Sequence, residues 1–435
     1  MSGSLKKIIS IVKASLFNPY FGFVFGHSHL DNEEWQKVRE YVGIKDDALV
    51  LKFESHFAAL VGDGCAVSYA AARMGFFHLM KTLGIGKGDE VILLGATCSV
   101  MVNAVLRVGA KPIFSDLDQD TFGSSVVSIA RCITTNTRMI VAQHSFGIPC
   151  DIEAVSDLAK SEGIFLLEDC ALTLGSKING STVGNFGDAA LFSTDHSKPL
   201  NTLTGGLVYS LNKNLIDQLR IEQEKFEDLS IKRQKALWRR LKLEAKYCVP
   251  SRYGRIKLID ALANIAKRLN LLSKDFLDDD FSLSTESDYP YPAKFPAFLA
   301  VLGLFEINRW PLVSKFRVSL AKNLLNLMRD RGFEVCLPSC YGDPRVEIVP
   351  LRIAWWQSDG GKVRDAMANF LDTDATWFMK PIIATKDNLS SFGYQVGSCK
   401  ISEKIGPLMV NIPCNIMIDS KYLLTEKLRE NLVYI

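Results

Sequence analysis

The chain has 435 residues, enough to bury a large core and to form two lobes. Its 51 Lys and Arg nearly balance its 48 Asp and Glu, and a net charge of +3 leaves no electrostatic footprint for nucleic acid. The ten cysteines form no CxxC pair and no metal-type Cys/His cluster, so reduced thiols, a cytoplasmic location and no bound metal are expected.

In chain order, residues 4–17 carry apolar side chains at 5, 8, 9, 12 and 16, the spacing of one helical face. The run has no cleavage site of small residues and is too short to cross a bilayer, so no secretory signal is expected. Such a helix either docks on the protein itself or makes peripheral contact with a membrane surface, and docking is the commoner outcome. His27 and His29 read as surface residues rather than zinc ligands. From about residue 40 to 210, short apolar runs alternate with helical segments. The helix is read over Ala70–Met80, and the strands over Glu90–Leu94, Lys111–Phe114, Met139–Gln143, Ile164–Leu167, Ala189–Phe192 and Leu207–Ser210. The alternation predicts an α/β fold with a mainly parallel sheet flanked by helices, and the 48% hydrophobic content fits a sheet buried on both faces.

Residues 222–280 differ. Ile231–Leu243 is basic and amphipathic, Arg252, Arg255, Lys257, Lys267 and Arg268 follow, and Asp278–Asp280 reads as a solvated loop. The stretch is either an ordinary solvated helix face or a surface for anionic groups, a diphosphate or a lipid. Pro296–Met328 reads as a helix opening a smaller α+β lobe. The chain therefore divides into an N-terminal arm (1–39), a large domain (40–221), a basic helical insertion (222–290) and a small C-terminal domain (291–435).

Lys198 is the most informative residue. It follows the strand-like run Ala189–Phe192 and precedes Gly205-Gly206, while Glu168-Asp169 follows the run Ile164–Leu167. A lysine amine and a carboxylate beyond the carboxyl ends of neighbouring strands are what a pyridoxal-phosphate enzyme needs: one to attach the cofactor, one to hold its ring nitrogen protonated. Read by type alone, the same residues are a solvated lysine and a loop cap.

The order of the wider motifs separates these readings. Leu83–Val91, Asn103–Asp116, Gln143–Gly147, Asp151, Glu168-Asp169, Val183–Asp188, Lys198 and Gly205-Gly206 stand in the order and spacing of one family, with a weaker echo at Met409–Pro413. From about residue 40 to its C-terminus the chain resembles the DegT/DnrJ/EryC1/StrS sugar aminotransferases, which are fold-type-I pyridoxal-phosphate enzymes. The resemblance implies pyridoxal 5′-phosphate carried on Lys198, with Asp169 against the ring nitrogen and Ser193 on the phosphate. Backbone N–H groups near Ala72 and Arg73 would assist at the phosphate, where a helix N-terminus forms an anion site. Arg73 either adds charge there or is solvated.

The resemblance also implies glutamate as amino donor, a nucleotide-linked keto-sugar as acceptor and a homodimer. Departures from the pattern are Ala71-Ala72-Arg73 in place of Ser-Gly-Thr, Leu172 in place of a glutamine, and Cys98 where an aromatic residue stacks on the ring. Lys294 stands where the family's cross-subunit segment has an arginine. Two rival readings remain open: a dehydratase using the same cofactor, and a non-catalytic scaffold of aminotransferase type at the membrane surface.

Overall fold

A computed structural model describes residues 19–268, 283, 289–385, 387–416 and 418–432. The amphipathic run 4–17 and the acidic loop 278–280 lie outside the described residues. Helix α1 (Asn32–Glu40) starts at a capping box in which Asp31 accepts from the Glu34 N–H while Glu34 reaches back to Asp31. Helix α2 (Asp47–Val61) is capped by Asp46. Strand β1 (Cys65–Tyr69) then leads into α3 (Ala72–Thr82), β2 (Glu90–Leu94), α4 (Ser99–Arg107) and β3 (Lys111–Ser115). After them come β4 (Thr137–Gln143), β5 (Phe165–Asp169), β6 (Ala189–Ser193), β7 (Gly206–Ser210) and β8 (Glu227–Asp228). Two helices, α5 (Ile231–Tyr247) and α6 (Tyr253–Arg268), precede β9 (Ala293–Lys294) and the 34-residue α7 (Ala297–Asp330). A two-stranded antiparallel sheet of β10 (Arg352–Trp356) and β11 (Met409–Pro413) follows.

The main sheet has nine strands in the order β8-β9-β1-β7-β6-β5-β4-β2-β3. Neighbours from β6 through β3 are all parallel, and β7 runs antiparallel to both β6 and β1. Six strands therefore end on one edge: β1, β2, β3, β4, β5 and β6. The mainly parallel α/β sheet expected from alternation is what the chain forms. The runs read as strands are nearly continuous buried stretches; every residue of β2 and β7 is buried. Each fully buried Val, Leu or Ile in them stabilises the fold by about 1.5–3 kcal/mol.

The apolar interior has two main bodies. The larger surrounds the sheet and helices α2, α3 and the first half of α7, from Phe298 to Trp310. The second surrounds β10 and β11 with the second half of α7, from Phe316 to Met328, and takes Phe21 and Phe23 from the N-terminal strap. Among the described residues α7 is the one helix long and apolar enough, by length and composition, to cross a membrane. Its apolar residues are distributed between the two cores, as in the core helix of a globular protein.

Candidate active site

The two carboxylates at the end of β5 point to opposite faces, as successive strand residues must. Glu168 is fully buried and accepts the N–H groups of Gly184 (2.7 Å), Phe186 (2.7 Å) and Gly187 (2.8 Å). His144 Nε2 lies 3.2 Å from it, and the Cys150 N–H donates to His144 Nδ1 at 3.1 Å. That N–H requires a lone pair on Nδ1, so the imidazole proton sits on Nε2 and is given to Glu168. Glu168 is thus a structural anchor for the 184–187 loop. His144, Glu168 and Cys170 could by spacing hold a metal ion. However, the carboxylate is already taken up by four donors, which accounts for the cluster as a hydrogen-bonded anchor.

Asp169 faces the other way. Its Oδ1 accepts the Ala171 N–H at 2.9 Å. Burial pushes its carboxyl pKa up, while the Ala171 N–H and the Lys198 charge pull it down. Lys198 lies five residues beyond Ser193, the last residue of β6, which pairs directly with β5. Cys98, at the end of the β2–α4 connection, completes the group. Its thiol is raised by burial and lowered by Lys198 and Arg73, so residues from four strand ends act on one another. The structure thus brings the Asp169 carboxylate and the Lys198 amine to the same carboxyl edge of the parallel sheet.

The remaining predicted residues gather along the same edge. Helix α3 begins at Ala72 with Ala71 as a cap that offers no side-chain bond, so its first N–H groups are left to an anion. Gly206 pairs with Ser193 and lies so close to α3 that a Cβ on it would stand 2.4 Å from the Ala72 Cα. That close approach sets Ser193 beside the N-terminus of α3. Arg73 donates toward the Tyr289 hydroxyl (3.5 Å), and the Tyr291 hydroxyl donates to the Arg73 carbonyl (3.3 Å).

Two buried polar atoms of the site, Ser99 Oγ at the start of α4 and Trp377 Nε1, have no hydrogen-bond partner among the described residues. Buried donors are rarely left so without a ligand or water to meet them. An amine, a carboxylate, a hydroxyl, an uncapped helix start and two waiting donors together fit pyridoxal 5′-phosphate. Lys294 is elsewhere: it pairs with Tyr69 at the sheet edge and donates to the Glu224 carbonyl at 3.0 Å. There it borders a cleft of about 420 Å3 shared with Glu54, Arg220 and Gln234, which includes neither Lys198 nor Asp169.

Several neighbours of Lys198 gave no sequence signal. The Lys198 ammonium stands 5.5 Å from the centre of the Trp377 ring. The segment carrying Trp377 is held by bonds from Ile382 N–H to the Gly95 carbonyl (3.1 Å), Ile383 N–H to the Thr97 carbonyl (2.7 Å) and Ser99 N–H to the Ile383 carbonyl (3.0 Å). The aromatic surface missing at Cys98 is therefore present near the lysine from residue 377.

Downstream of Lys198, the Pro199 carbonyl accepts from Arg317 at 2.9 Å. The Asn201 side-chain amide donates to the Phe25 carbonyl at 2.7 Å, and the Asn201 backbone carbonyl accepts from His27 Nε2 at 2.8 Å. His27 and His29 are accordingly not surface residues. His27 is fully buried, and His29 Nε2 lies 2.8 Å from the buried Glu306. The polar strap folds inward because the lysine loop and α7 supply partners that no local pattern reveals.

The same arrangement of strands recurs in known proteins. DesV of S. venezuelae, solved in complex with a ketimine intermediate, superposes with a TM-score of 0.68 over 93% of this chain and 95% of that one, at 18% identity. GDP-perosamine synthase of Escherichia coli O157:H7 is 39% identical over 185 residues, 42% of this chain and 50% of that protein. UDP-N-acetyl-3-dehydro-alpha-D-glucosamine 3-aminotransferase of Acidithiobacillus ferrooxidans is 36% identical over 168 residues, 38% of this chain and 46% of that protein. The matched stretch spans about half the length of these curated relatives. Residues 29–422 match a single family as a whole, one that takes in the sheet, the lysine loop and the C-terminal segment bearing Trp377. The chain belongs to the DegT/DnrJ/EryC1/StrS aminotransferase family.

Proposed function

We propose that the protein is a pyridoxal-phosphate-dependent aminotransferase that moves an amino group from glutamate to a nucleotide-linked keto-sugar, in the biosynthesis of amino-sugars or surface polysaccharide. The observation that carries this reading is the placement of Lys198 and the buried Asp169 beyond the carboxyl ends of adjacent parallel strands, near enough for the lysine charge to act on the carboxylate. The nucleotide-linked acceptor is supported by the names of the relatives, which are GDP- and UDP-sugar enzymes. A homodimer in the cytoplasm belongs to the same proposal, on the strength of the family resemblance.

The bound cofactor would supply the electron sink and carry the amino group. The protein's residues do the rest. Asp169, shielded from water, would hold a proton at the cofactor ring nitrogen; burial raises its pKa, so its charge depends on a cationic partner. The N–H groups at the start of α3 and the Ser193 hydroxyl would bind the phosphate and so anchor that end of the cofactor. Lys198 Nζ would take the proton from the α-carbon of the amino donor and deliver it to the cofactor C4′, and would carry it the opposite way on the acceptor half of the cycle. Cys98 stays a neutral thiol because burial raises its pKa, so it adds no competing nucleophile.

The visible spectrum of the purified protein tests the proposal. Added pyridoxal phosphate should give a yellow band that L-glutamate bleaches, and Lys198→Ala should give neither the band nor turnover. A band that glutamate leaves untouched would remove glutamate as donor. Near-normal transamination by Lys198→Ala would overturn the scheme.

A further inference from the structure

Helix α5 lies in the stretch read from sequence as a basic insertion, yet its most buried charged side chain is acidic. Glu244 has no exposed surface, in a helix otherwise rich in Lys and Arg. Removing a carboxylate from water costs several kcal/mol unless cations compensate. Two do. Arg240, one turn earlier, donates from Nε to Glu244 Oε1 at 2.6 Å, and His196 Nδ1 meets the same oxygen at 2.8 Å. Arg240 also pairs with Asp260 of α6, which locks α5 and α6 together.

His196 is two residues before Lys198 and sits inside the turn that carries it. The Lys198 N–H closes this turn on the Asp195 carbonyl at 3.0 Å. The Asp195 carboxylate accepts the Ser197 N–H at 3.3 Å and stands 3.6 Å from His196 Nε2. The imidazole thus bridges the lysine turn on one side and the inserted helix on the other. Gly26 of the strap is pressed against the same helix, where a Cβ on it would meet the Glu244 carbonyl oxygen at 2.2 Å. With the Asn201 and Pro199 anchors downstream, the lysine is fastened both before and after.

We infer that Glu244 is a positioning residue for catalysis: through His196 it fixes the turn that aims Lys198 at the cofactor, so the inserted helix is part of the active-site scaffold. The titratable and charged groups facing His196 are Asp195 on its own turn and Glu244 and Arg240 on α5. Against burial and the Arg240 charge, Asp195 and Glu244 hold the imidazole cationic up to about pH 9, and His196 with Arg240 holds Glu244 ionised down to about 2. The inference rests on cofactor attachment at Lys198 and not on the identity of donor or sugar, so it is tested without either.

The test measures how fast the full-length protein captures added pyridoxal phosphate, with borohydride trapping and mass spectrometry of the Lys198 peptide. Glu244→Gln and His196→Gln should each slow capture about tenfold, as expected for a small misplacement of a reacting group. Final occupancy at saturating cofactor should be unchanged. The double variant should be no slower than either single one, because the two residues act through each other. Asp260→Asn, which loosens only the outer partner of Arg240, should capture at the wild-type rate. The ratio of wild-type to His196→Gln rates should fall toward one as pH passes about 9, a dependence that general loosening of the fold would not produce.

Should Glu244→Gln fail to fold, His196→Gln decides alone, since its ring is 34% exposed. Wild-type capture by His196→Gln, additive losses in the double variant, or an equal loss in Asp260→Asn would each overturn the inference. Failure of the wild-type protein to take up the cofactor would instead count against the functional proposal.

Discussion

Asp169 and Glu168 differ by one position and have opposite tasks, so substitutions at the two should fail differently. Asp169→Asn keeps the size and the Ala171 contact but removes the charge. Turnover should fall by about 10²–10³, the usual loss of one preorganised electrostatic group, with much smaller loss of cofactor occupancy. Steady-state kcat alongside the visible band separates the two effects. Glu168→Ala should leave four donors without an acceptor in the core. The expected cost is about 3–5 kcal/mol, read as a lower denaturation midpoint by urea titration. Residue types alone placed the pair after a strand without choosing between them, and only the family resemblance singled out Asp169. That choice follows from the phase of the pleat, which is set by the register of β5 against β4 and β6.

At the scale of elements, the strands were legible because fully buried parallel strands are continuous apolar runs. The run read over Glu90–Leu94 is strand β2, and Ala189–Phe192 extends only to Ser193. The helix read from Ala70 begins at Ala72, since Ala70 and Ala71 continue out of β1 before the turn is made. The contacts that finish the site were illegible for the opposite reason. His196 and Glu244 are 48 residues apart, and Arg317 is 118 residues from Pro199. No periodicity encodes such meetings.

The His196–Glu244 contact gives the lysine turn a pH dependence. The folded-state pKa of His196 is raised from 6.5 to about 9, so its contribution to stability is full below pH 6.5 and is lost as pH rises through 9. Glu244, depressed from 4.5 to about 2, contributes above 4.5 and is lost as pH falls through 2. Thermal melts should therefore show wild type losing its advantage over His196→Gln between pH 6.5 and 9. Equal differences at both ends of that range would count against the pair.

For the whole molecule, α7 is the member common to both cores. Phe298 and Trp310 belong to the sheet core, Phe316 and Met328 to the core of β10 and β11. Inserting one alanine near residue 312 would turn the second half of the helix by about 100° relative to the first. Arg317 would then leave the Pro199 carbonyl, and both cores would lose packing. Such a variant should lose its cooperative melting transition altogether, whereas an alanine added within the exposed 342–345 turn should be tolerated. The proposed homodimer predicts a light-scattering mass of twice 48.4 kDa for the purified chain. A monomer at micromolar concentration would refute that part of the proposal.

The fastening of Lys198 also has a consequence in time. Its anchors come from residues 25–27, 244 and 317, and its aromatic neighbour from 377. A ribosome delivers the lysine long before it delivers Arg317 or Trp377. A nascent chain can thus pair its first five parallel strands while the amine is still unaimed. Acquisition of the cofactor becomes a late event in biosynthesis, and the yellow colour of the protein marks chains that have been made to the end.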